Sequence, residues 1–143
     1  MSVRLSRRSK RTDERTCSEQ ICLASAACST PRSFTRADIE FDGVEQAGPA
    51  YEGRIFLNNP EADANTPRTA EYGYAGSFHV YGLGVPLPGK AAIRKSVIAT
   101  EAVRAALAKS ESVTLTVVPI YAGGEPAAAT RPITFDDVRI VLE

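Results

Sequence analysis

Apolar and polar residues alternate along residues 37–44, with Ile39 and Phe41 on one side and Asp38, Glu40 and Asp42 on the other. In an extended chain successive side chains point to opposite faces, so this stretch predicts a half-buried strand. A second strand is expected over residues 51–58, where Tyr51, Ile55 and Leu57 share a face. Asn58, Asn59 and Pro60 end it, because proline brings no donor to a ladder. A polar loop covers residues 61–71. Residues 72–83 then read as a third strand region, with Phe78 and Val80 turned one way and His79 and Tyr81 the other. Its glycines, Gly73, Gly76, Gly82 and Gly84, predict bulges or close backbone approach. Residues 91–99 fit strand and helix equally. Residues 100–109 predict a helix: Thr100 can cap it, Glu101 suits the first turn, and Val103 with Leu107 forms an apolar i, i+4 pair. Residues 113–121 are rich in β-branched side chains and read as a strand, and residues 133–142 supply the last one.

Five or so strands and one short helix predict a mainly β fold over residues 36–143, an antiparallel β-sandwich held by one core. The expected core is Ile39, Ile55, Leu57, Phe78, Val80, Val103, Leu107, Leu115, Val117, Ile133, Val138 and Ile140. Residues 1–33 show no sustained apolar period and cannot bury enough surface to offset chain entropy. Residues 1–35 therefore read as a disordered or loosely helical N-terminal tail.

Charge sharpens that boundary. The 143 residues carry no formal net charge, yet residues 1–36 hold eight basic and three acidic groups, a surplus of +5 balanced by −5 in the rest. A hydrophobic share of 43% suits one soluble domain, and neither a nucleic-acid nor a membrane partner is expected. The longest apolar runs fall far short of the roughly 20 residues of a spanning helix. Ser6, Arg7 and Arg8 begin like a twin-arginine leader, but Glu19 and Gln20 stand where its apolar stretch should start. The compartment stays open, with the cytoplasm slightly ahead. Cys17, Cys22 and Cys28 are the three cysteines, an odd number that closes no disulfide framework within one chain.

Candidate chemistry is sparse. His79 is the one histidine, so a metal site, a Ser–His–Asp triad or a Cys–His pair would each have to use it. Between aromatics on a strand it reads as a structural group. Four and five residues stand between the successive cysteines, and a fourth ligand is lacking, so free thiols or intermolecular disulfides are expected. Asp136 and Asp137 point to opposite faces of a strand and form no acid–base dyad. Glu61, Asp63 and Asn65 lack the glycine and distal glutamate of a calcium loop and read as a solvated turn. The glycine-rich run at residues 81–89 leads into prolines rather than into a phosphate-binding helix. The basic tail lacks interleaved aromatics, and supports at most nonspecific contact with nucleic acid or acidic lipid. No catalytic, cofactor-binding or metal-binding residue is expected, and no cofactor.

Four blocks carry a resemblance: Tyr51–Pro60 (YEGRIFLNNP), Tyr74–Gly82 (YAGSFHVYG), residues 113–120, and residues 135–141 (FDDVRIV). In this order they resemble the region C-terminal to the copper domain in bacterial tyrosinase-like proteins. Residues 75–78 (AGSF) are also similar to a block in the C-terminal β-sandwich of molluscan hemocyanins. The resemblance covers roughly residues 39–143 and leaves residues 1–33 unmatched. It implies a noncatalytic accessory domain of the type 3 copper family, a lid or packing domain, present here as a fragment or split gene product. The family's paired coppers take six histidines on a helical bundle, and no such residue transfers to this sequence. Phenol oxidation would need a separate copper-binding tyrosinase domain as partner. Tyr74, His79 and Tyr81 are candidates for a lid residue because their block matches. Tyr81 and Leu83, with Tyr74, are expected to leave an apolar interface patch, which makes self-association possible. Two alternatives remain: an independent protein- or carbohydrate-binding module, and a copper carrier using His79 and the tail cysteines.

Overall fold

The structure is a computed structural model and describes residues 17–22 (backbone placement alone), 33–46, 48–82, 92–110, 112–121 and 133–143. Seven strands occur among them: β1 (Cys17–Cys22), β2 (Ala37–Glu45), β3 (Tyr51–Leu57), β4 (Tyr74–Val80), β5 (Ala92–Ile98), β6 (Ser112–Tyr121) and β7 (Asp137–Leu142). One helix, α1 (Thr100–Lys109), joins β5 to β6, and a single 3-10 turn, Ala70–Tyr72, precedes β4. All pairings are antiparallel. The strands form two sheets, of order β1-β6-β3-β4 and β5-β2-β7.

The alternation in β2 turns Ile39 and Phe41 inward, where Val138 and Ile140 of β7 and Val97 of β5 lie beside them. Facing them across the sandwich are Ile55 and Leu57 of β3, Phe78 and Val80 of β4, and Val113, Leu115 and Val117 of β6. The rings of Phe41 and Phe78 meet at 4.9 Å between centroids, and Phe135 meets Phe41 edge-on at 5.4 Å. Val103 and Ala106 of α1 are buried in the same core. Phe41 was not among the expected core residues, yet it is fully buried at the centre of this cluster.

Gly53 decides how closely the Phe78 ring lies on β3. It stands directly opposite Phe78 in the β3–β4 ladder, and a Cβ added there would meet the ring at 2.6 Å. The ring lies where a side chain on residue 53 would be. Gly43 has another task. With φ of +72° it sits where the β2–β5 register shifts between Phe41 and Val44, and Asp136 packs over it. Glycine occupies this left-handed geometry without the Cβ penalty.

Several local expectations change. Residues 92–98 are the strand β5, because Ile93 and Val97 are half-buried in alternation with exposed Arg94, Ser96 and Ile98. Thr100 begins α1 but makes no cap; Ala99 holds the N-cap position, and the Thr100 hydroxyl accepts from the Ala37 N–H at 3.1 Å. Because Ala99 N–H also donates to the Ala37 carbonyl at 2.9 Å, the start of β2 anchors the start of the helix. Leu107 lies at the margin of the core rather than in it, since the buried stripe of α1 runs through Val103 and Ala106. The third strand is shorter than the apolar pattern suggests. The 3-10 turn takes Tyr72, and the expected irregularity is a register shift between Ile55 and Phe56, opposite Gly76.

The tail differs at one segment. Cys17–Cys22 pairs along β6 from Cys17↔Val117 to Cys22↔Ser112. Its sequence has little strand character; the outer edge of β6 supplies the unpaired backbone groups that order it. The remaining residues of 1–32 lie outside the described residues.

Replacing Gly53 by alanine should push a methyl into the Phe78 ring and cost about 1–3 kcal/mol, while Phe41→Ala should cost about 3–5 kcal/mol. Urea unfolding followed by circular dichroism measures both. A Gly53→Ala protein with the wild-type midpoint would show that β3 and the ring do not approach this closely.

Candidate functional site

The residues singled out by sequence fall along β4, an outer strand of the four-stranded sheet. His79 is exposed and stands opposite Glu52 of β3, while Phe78 and Val80 on either side of it are buried. Tyr81 follows the strand and leaves 78% of its surface in solvent. Tyr74, at the other end of β4, packs on Phe56 with ring centroids 5.6 Å apart. That pair belongs to a second apolar cluster with Ala62, Val118 and Ile120, on the face of the sheet away from the main core. His79 and Tyr81 are thus neighbours, and Tyr74 stands about 17 Å from His79 along the strand. Leu83 lies outside the described residues.

A polar group surrounds Glu52. Its carboxylate accepts from Arg54 Nε at 3.2 Å and from Arg68 Nη1 at 3.3 Å. Burial alone would raise its pKa, but the Ser77 hydrogen bond and the charges of Arg54 and Arg68 outweigh that and hold it below the usual value. Arg54 also donates to the Ala64 carbonyl at 3.3 Å, so these contacts fasten the loop after β3 over the sheet. In that loop Asp63 accepts from the Asn65 N–H at 2.8 Å and from the Thr66 hydroxyl at 3.2 Å, which makes it a self-satisfied turn.

The outer face of the three-stranded sheet carries paired charges. Arg139 reaches Glu40 at 2.6 Å and Asp42 at 2.8 Å, and Arg94 also contacts Asp42. A guanidinium forked between two carboxylates on a neighbouring strand ties β7 to β2. These groups neutralise one another.

One feature that the pattern did not signal lies where β3 begins. Tyr51 and Tyr121 stand opposite each other in the β3–β6 ladder, with rings 5.9 Å apart. They line a shallow cleft with Glu45, Pro49, Ile133 and Thr134. Tyr51 is 9% exposed and, among the described residues, its hydroxyl has no hydrogen-bond partner. Burial pushes its pKa up from 10.0, and nearby Tyr121 and Glu45 add to the rise. The phenol is therefore a neutral donor throughout the physiological range. Sequence could place Tyr51 on an inward face but could not show that its hydroxyl is left unmatched.

The described residues contain no group of three or more His, Cys, Asp or Glu able to hold a metal ion. Strand order also separates the donors of a copper carrier. His79 is on β4 and Cys17 on β1, at opposite edges of one sheet and three residues out of line, about 17 Å apart on strand spacings. The side chains of Cys17 and Cys22, and the whole of Cys28, lie outside the described residues. No described helix is long and apolar enough to cross a membrane.

Among solved structures, the chain is similar to a recombinantly expressed latent aurone synthase, a polyphenol oxidase, with a TM-score of 0.56 and 16% identity. That match covers 96% of this chain and 26% of the oxidase. Latent aurone synthase from its natural source gives a TM-score of 0.55 at 15% identity, covering 96% of this chain and 25% of that one. The chain spans about a quarter of the length of the polyphenol oxidases it matches, and what it shares with that quarter is the fold. A span of 96% also takes in β1, although the sequence resemblance leaves residues 1–33 unmatched. No protein-family profile matches the chain, and no curated protein matches it in sequence.

Tyr51→Phe should raise stability by about 1 kcal/mol, because it removes a buried hydroxyl that has no partner among the described residues. The sign with pH follows from the raised pKa. Wild type keeps its full stability from this group below about pH 10 and loses it as the pH rises further. The variant should have a flatter alkaline limb in unfolding midpoints between pH 8 and 11. A variant that is less stable at pH 7 would mean that the hydroxyl is bonded.

Proposed function

We propose that this chain is a noncatalytic packing or lid domain of a tyrosinase-like copper protein, acting against a separate copper-binding domain. The observation that carries the reading is one of proportion: almost the whole chain shares its fold with about a quarter of a much larger polyphenol oxidase. The donor set does not fit a copper pair. One histidine stands in the 143 residues, exposed on an outer strand, and the acid opposite it is engaged by two arginines. No catalytic step is therefore assigned to this chain.

Tyr81 supports the same reading. A largely bare aromatic ring beside the exposed His79, at the end of an outer strand, is the kind of group that a packing partner covers. Tyr72, also exposed, precedes the other end of β4. On the other sheet, which carries the paired charges, Ile98 at the end of β5 is exposed.

The test is co-expression with the product of the adjacent reading frame that encodes a histidine-rich helical protein. The two should copurify, and Tyr81→Glu should weaken the complex at least tenfold while leaving the unfolding midpoint unchanged. Absence of such a frame, or a complex indifferent to Tyr81→Glu, would contradict the assignment.

A further inference from the structure

The edge of β6 is divided into an open part and a blocked part. Asn58, which continues the line of β3, donates its N–H to the Thr114 carbonyl at 2.7 Å and accepts the Thr114 N–H on its side chain at 3.0 Å. The backbone groups of Thr114 therefore face β3. Those of its neighbours alternate, so Val113, Leu115, Val117 and Pro119 turn theirs to the opposite edge. The β3–β6 register runs without a shift from Leu115 to Tyr121, which keeps that parity through Pro119. Proline has no N–H, so the outer edge is blocked there. Residues 112–117 carry no proline and no charged side chain, and β1 pairs with that stretch from Ser112 to Val117.

Parity also assigns the bonds in β1. Since Leu115 faces outward, Glu19↔Leu115 is a hydrogen-bonded pair, as are Cys17↔Val117 and Ile21↔Val113. Ser18, Gln20 and Cys22 turn their N–H groups away from the sheet. Fourteen residues, 23–36, separate β1 from β2 in the sequence.

We infer that residues 112–117 of β6 form a strand-acceptor site, guarded in the monomer by Cys17–Cys22, and that it takes the same segment of a second copy when the guard exchanges. The second copy is the fitting occupant because each chain carries a strand of matching length and register, fourteen residues before β2. The stretch is uncharged and free of proline, the character of an edge that pairs with another chain when uncovered. This goes beyond the packing role proposed above and does not depend on it.

The test uses the full chain and two proline substitutions. Glu19→Pro removes an N–H that faces β6, whereas Gln20→Pro removes one that faces away. In wild type the amides of Val113, Leu115 and Val117 should be protected from hydrogen exchange. Glu19→Pro should speed their exchange roughly tenfold or more relative to Gln20→Pro. Sedimentation of wild type at rising concentration should show a reversible dimer that Glu19→Pro abolishes and Gln20→Pro retains. A monomer at every concentration, or equal effects of the two prolines, would overturn the inference. So would a dimer lost in Tyr81→Glu but kept in Glu19→Pro, which would place the contact on the β4 surface instead.

Discussion

The contact between Phe41 on one sheet and Phe78 on the other sets the geometry on which the rest depends. The two rings meet at 4.9 Å, and Phe78 reaches that place because Gly53 beneath it has no side chain. Phe135 and Tyr51 then close around the pair, edge-on to Phe41 and Phe78 respectively. A close-packed interior of this kind accepts few changes of volume, so it also fixes strand register. With Phe78 inward, His79 must face out opposite Glu52. With Ile39 and Phe41 inward, the carboxylates of β2 must face out, where Arg139 and Arg94 meet them.

Much of this was legible in the sequence, wherever a period of two was clean. Ile39, Phe78, Val80, Val138 and Ile140 announced their faces, and each is buried as its pattern requires. The helix over Thr100–Lys109 was legible from Glu101 in its first turn and the apolar pair Val103 and Leu107, although Thr100 makes no cap and its hydroxyl serves β2. Long-range geometry was not legible. Nothing in CSEQIC predicts a strand, because that segment is ordered by the unpaired edge of a strand some ninety residues later. Phe56 points away from the main core and is still fully buried, since a polar loop folds back over it. The unmatched Tyr51 hydroxyl is equally a property of neighbours that only the fold brings together.

The surface sorts into regions with different characters. Paired charges satisfy one another over the three-stranded sheet, and Glu52 with its arginines fastens a loop on the other. The exposed large apolar side chains among the described residues stand at strand ends: Tyr72 and Tyr81 on either side of β4, and Ile98 at the end of β5. The fold corresponds to about a quarter of a polyphenol oxidase.

The central claim is that this domain brings no copper chemistry of its own. Titration of the purified chain with Cu(II), followed by a catechol oxidation assay against a blank of equal free copper, tests it most directly. The account predicts a rate equal to the blank and no binding of two copper ions per chain. Tight binding of two ions, with catechol oxidised faster than in the blank, would contradict it.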